Sequence, residues 1–62
     1  MTSEEVRAVR QRLKLTQAAF AERVGVERVT VARWESGLSP VNRTAAILIR
    51  LLAQRARPTR RR

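Results

Sequence analysis

"TQAAFAERVGVERVTVARWESG", Thr16 to Gly37, holds two stretches of helical period separated by almost no chain. In the first, Phe20, Ala21 and Val24 share a face, and the Thr16 hydroxyl can accept the open amides of a helix start. Gly25 stops that helix, because glycine enters the left-handed conformation without steric cost. Val26 dips back into the core. A second helix begins near Glu27, with Val31 and Trp34 on its buried face and Arg28, Val29, Ala32 and Arg33 on the others, until Gly37 ends it.

The flanks continue the pattern. In "TSEEVRAVRQRL", Val6, Val9 and Leu13 fall at i, i+3 and i+7, and Thr2 followed by Glu5 has capping-box spacing, so a first helix is expected from about Ser3 to Leu13. Lys14 turns the chain and Leu15 returns to the core. Ser39 and Pro40 suit a loop or a first turn, and "NRTAAILIRLLAQRA" supplies a last helix from roughly Asn42 to Ala56. No alternation of period two suggests a strand. The expected fold is all-α, a compact bundle of four or five helices over residues 1–56. Residues 57–62 form a basic tail that Pro58 keeps out of the helix, expected to be a disordered arm.

Composition narrows the chemistry. A chain of 62 residues makes one domain at most and buries only about 60% of its unfolded surface, so a partner that adds buried area is expected. With no Cys and no His it has no disulfide, no thiolate nucleophile, none of the usual zinc ligands and no histidine base. No pair of residues suggests catalysis, and no enzyme activity, metal, cofactor or small-molecule ligand is expected. No apolar run approaches the roughly 18 to 20 residues of a membrane span, and no secretory core opens the chain, so a cytoplasmic location is the default. Fourteen Lys and Arg stand against five Glu, a net charge of +9, which points to a polyanion. Thirteen of the fourteen are Arg, either because its planar fork binds guanine and phosphate bidentately or because the genome favours its codons.

The short glycine-containing connection between the second and third helices is that of a helix-turn-helix. "LTQAAFAERVGVERVTVARWESG" resembles this motif in the Xre/Cro-type, lambda-repressor-like DNA-binding domains. The resemblance lies in Thr16-Gln17 at the start of helix 2, Phe20-Ala21, Gly25-Val26, Thr30-Val31, and Trp34, Glu35 and Gly37, with helices 1 and 4 in matching places. It implies double-stranded DNA as partner, in a bacterial or phage cytoplasm and on the nucleoid, with helix 3 in the major groove.

On that resemblance, Arg28, Val29, Arg33 and Glu27 are the base-contacting residues. Arg28 and Arg33 would each fork onto guanine O6 and N7 or else contact phosphate or water, and Val29 would touch a thymine methyl. Glu27 stands where Ser or Thr is usual and would accept from cytosine N4 or repel phosphate. Thr16, Gln17, Thr30, Asn42 and Arg43 are the implied phosphate contacts, and Arg10 with Glu35 the implied structural ion pair. Trp34 is read as core. Ala19 leaves the helix 2 capping box half made, and Lys14 stands where Gly is common.

The last helix carries one apolar stripe, Ala45, Leu48, Ile49 and Leu52, which Ile47 and Leu51 extend round the helix. The extension is either a homodimer seam or a contact with the N-terminal part of the same domain. The reading is a dimeric transcriptional repressor, an autorepressor on a palindromic operator, with no room for a sensing domain. The alternative is a protein- or RNA-interaction module on the same fold, for which Arg28 and Arg33 would be dispensable and helix 4 would not.

Overall fold

The computed structural model describes residues 1–56, and the basic tail expected at 57–62 lies outside them. The described chain consists of four α-helices in the order α1 (Ser3–Arg12), α2 (Gln17–Val24), α3 (Arg28–Ser36) and α4 (Arg43–Ala56), so the count is four and not five.

Local chemistry sets the helix ends. At α1 the Glu5 amide donates to Thr2 Oγ1 at 3.1 Å, and the Thr2 amide donates to Glu5 Oε1 at 2.8 Å, a complete capping box. Thr16 Oγ1 accepts from the Ala19 amide at 3.1 Å to start α2. With Ala19 in place of Glu or Gln, no side chain returns the bond. At α4, Asn42 Oδ1 accepts from the Ala45 amide at 2.8 Å.

Three helices end in left-handed residues: Lys14 (φ 59), Gly25 (φ 89) and Gly37 (φ 83). After α1 and α3 the amides fold back in the same way. Leu15 donates to the Arg10 carbonyl and Lys14 to that of Gln11, while Leu38 donates to Arg33 and Gly37 to Trp34. Only Lys14 does this with a Cβ, in a conformation that costs an L-residue about 1 to 2 kcal/mol. The Arg10 guanidinium donates to the Leu15 carbonyl at 3.0 Å and so holds the turn from the side.

The core is Val6, Phe20, Ala21, Val24, Val31, Trp34, Ala45 and Ile49, with Val9, Leu13, Leu15, Val26, Val41 and Leu52 packed around it. Helix α2 packs most extensively on α3, α1 lies against α3, and α4 closes the bundle against α1 and α2. One expected core position differs. Leu48 is 41% exposed and belongs with Ile47 and Leu51, at 52% and 49%, and not with Ala45 and Ile49. Successive residues turn about 100° on a helix. Ala45, Ile49 and Leu52 therefore span the narrow arc that faces the core, and Leu48 falls to one side of it.

Candidate nucleic-acid interface

Helix α3 separates structural residues from displayed ones. Val31, Trp34 and Glu35 are buried, Thr30 and Ala32 are half-buried, and Arg28, Val29 and Arg33 are exposed. The three residues Gly25, Val26 and Glu27 join it to α2. This turn is short enough that α3 must start where α2 ends, and the left-handed Gly25 redirects the chain within one residue.

Glu35 fixes α3 to the other helices. Its Oε2 accepts from Arg10 Nε at 2.6 Å, and its Oε1 accepts from Arg10 Nη2 and Gln17 Nε2, each at 3.2 Å. Arg7 adds a hydrogen bond from Nη2 to the Glu35 carbonyl at 3.1 Å, with its Nε 3.9 Å from Oε1. Residues of α1 and α2 thus converge on one carboxylate of α3. Burial pushes the Glu35 carboxyl up, but the hydrogen bonds from Arg10 and Gln17, with the charges of Arg10 and Arg7, outweigh it and hold the group below the usual carboxylate range. The same hydrogen bond raises Arg10 above its ordinary value. Among the described residues no buried side-chain polar atom lacks a partner, so this hub is fully satisfied.

The exposed face is electrostatically uncommitted. Arg28 and Arg33 make no ion pair among the described residues, and the whole chain carries a net charge of +9. Glu27 occupies the N-cap of α3 in extended backbone, yet its side chain makes no capping bond. Its carboxylate and the first amides of α3 therefore both remain open. Val29, 44% exposed, puts two methyl groups beside the arginines.

The residues that the resemblance implied for phosphate are placed unevenly. Thr16 and Arg43 are exposed at the first turns of α2 and α4, and Thr30 is half-buried on α3. Gln17 is half-buried and turned onto Glu35, and Asn42 has its Oδ1 in the α4 cap, which leaves its Nδ2 donors. Two members of the Glu35 hub were missed from sequence. Arg7 stands three residues before Arg10 and so shares its face of α1, which was a usable signal. Nothing in the spacing marks Gln17 as inward.

An all-α domain in which a glycine turn joins two core helices, with unpaired arginines on the free face of the second, is a DNA-binding helix-turn-helix domain. A family model described as helix-turn-helix matches residues 6–53, and the chain belongs to this family, of the Xre, lambda-repressor-like type. It is a DNA-binding regulator of that general kind. No curated protein and no solved structure matches the chain. Among the described residues no helix is long and apolar enough to cross a membrane.

Proposed function

We propose that this chain is a sequence-specific repressor that binds a palindromic operator as a homodimer and reads it through the major groove with α3. The observation that carries this reading is the division of α3. Its inner face is locked by the Glu35 hub, while Arg28, Val29 and Arg33 are exposed beside the half-buried Ala32, and neither arginine has an ion-pair partner among the described residues. Rigid presentation of donors and methyl groups is what direct readout requires, since a guanidinium forks onto guanine O6 and N7 only in a narrow geometry.

Phosphate contacts would come from Thr16, Thr30, Arg43, the Nδ2 of Asn42 and the first turn of α2, with Gln17 contributing as far as its bond to Glu35 allows. Glu27, with an open carboxylate at the groove end of α3, selects cytosine or excludes the backbone there. Specificity needs two copies, because one recognition helix reads too few base pairs against about a million or more competing sites. Ile47 and Leu51, apolar and half exposed on α4, are the residues assigned to that seam.

Selection of bound sequences from random duplex DNA tests the reading. The expected product is a palindrome whose half-site centres lie about 10 base pairs apart. Recovery of sequences without symmetry or enrichment would leave a non-specific or protein-docking role on the same fold.

A further inference from the structure

Leu48, Leu51 and Leu52 of α4 line an open groove together with Arg23 from the last turn of α2 and Arg55 from the last turn of α4. Helix α4 carries no acidic residue, and Glu22, next to Arg23 in sequence, lines a separate groove with Thr16 and Arg28. Neither Arg23 nor Arg55 makes an ion pair among the described residues. An apolar floor is thus bordered by positive charge alone.

The geometry points to a docking groove for an acidic amphipathic helix, a protein partner that sets apolar side chains on Leu48, Leu51 and Leu52 and carboxylates against Arg23 and Arg55. From Leu48 to Arg55 the groove follows two turns of α4, about 10 Å, which suits an occupant of two to three helical turns with anchors at i, i+3, i+4 and i+7. A second copy seated in this groove would set its own Arg23 and Arg55 against the same pair, and those like charges oppose it there, whereas the proposed seam centres on Ile47, which does not line the groove. A flat anionic bilayer matches the charge but does not enter a groove.

The Leu51 side chain also belongs to the Ile47–Leu51 seam, so an acidic helix seated in the groove excludes the second copy and releases the operator. That release rests on the self-association reading, whereas docking does not.

The test titrates the isotope-labelled full chain with a synthetic helical peptide of about 15 residues, with Leu at the four anchor positions and Glu on both flanks. Expected are saturable amide shifts confined to Arg23 and residues 48–55, and at least about tenfold weaker binding of a peptide with the same composition but leucines scattered round the helix. Leu48→Asp and Arg55→Glu each lower affinity by about tenfold or more, while Arg43→Glu, an equal charge change off the groove, does much less. The Arg55→Glu change is on the surface, and spectral dispersion reports that each variant is folded.

Docking is overturned if the scattered peptide binds equally, if the shifts centre on Arg28 and Arg33, if Arg43→Glu matches Arg55→Glu, or if only phosphatidylserine vesicles shift the groove. Sedimentation with and without peptide tests the exclusion. A dimer that becomes monomeric supports it, and a dimer that persists with peptide bound overturns it. A monomer without peptide overturns the self-association reading and leaves docking to be decided by the titration.

Discussion

Helices α3 and α4 each bury one face in the same core and leave the other uncommitted, with opposite chemistry. Helix α3 displays Arg28 and Arg33, while α4 displays Ile47, Leu48 and Leu51. They also differ in how they are held. Helix α3 is tied to α1 and α2 through the Glu35 carboxylate, whereas α4 rests on Ala45, Ile49 and Leu52 and the Asn42 cap. On the proposed reading, the helix that aims side chains at a rigid duplex has directional polar bonds behind it. The helix whose free face is apolar is held by non-directional packing, enough for a partner that adapts to it.

Removing the hub should have the largest effect. Arg10→Met leaves the Glu35 charge buried with weaker partners and should cost about 3 to 5 kcal/mol of stability in urea unfolding, most of what a domain this small possesses. The double change Arg10→Met with Glu35→Leu should recover much of that loss, and a double variant as unstable as the single would show that packing, not charge, decides. The hub also sets acid behaviour. Because Glu35 titrates below its unfolded value, its stabilisation is full above about pH 4.3 and is lost as pH falls through the lowered value. Glu35→Gln should flatten that part of the stability–pH curve.

The displayed face of α3 comes next. Arg28→Ala or Arg33→Ala should cost about 1 to 3 kcal/mol on the selected site and relax preference at one base pair per half-site, with stability unchanged. If the loss is equal on matched and mismatched duplexes, the arginine is a phosphate contact. Lys14→Gly should stabilise the domain by about 1 kcal/mol, since it relieves the only non-glycine left-handed residue among those described. A smaller gain would mean that the unfolded chain's extra freedom with glycine offsets the relief.

The smallest effect belongs to the free face of α4. Ile47→Ser should change monomer stability by no more than about 0.5 kcal/mol, yet shift the sedimentation equilibrium. A large loss of stability would make Ile47 part of the domain's own core.

Most of the fold was legible because its signals are local. Thr2 with Glu5, Thr16, Gly25 and Gly37 act within a few residues of where they stand, the threonines starting a helix and the glycines ending one where their chemistry requires. What was illegible depends on neighbours distant in sequence. Leu48 fits an apolar stripe by spacing, but α4 packs against α1 and α2 over an arc too narrow to cover it. Gln17 has the place of a phosphate ligand, yet its amide reaches a carboxylate eighteen residues away. The Arg10–Glu35 pair came from resemblance. Periodicity could place both on core-facing sides but could not join them.

Trp34 is the only tryptophan in the chain, and it is buried on the side of α3 opposite the displayed arginines. Its indole is therefore an optical reporter of the fold that a ligand on the outer face does not touch. Emission should be blue-shifted in the native domain, move to the red on unfolding, and stay in place when duplex is added. One fluorescence channel thereby sorts the variants. Arg10→Met should redden the spectrum, whereas Arg28→Ala should leave its colour unchanged while binding falls.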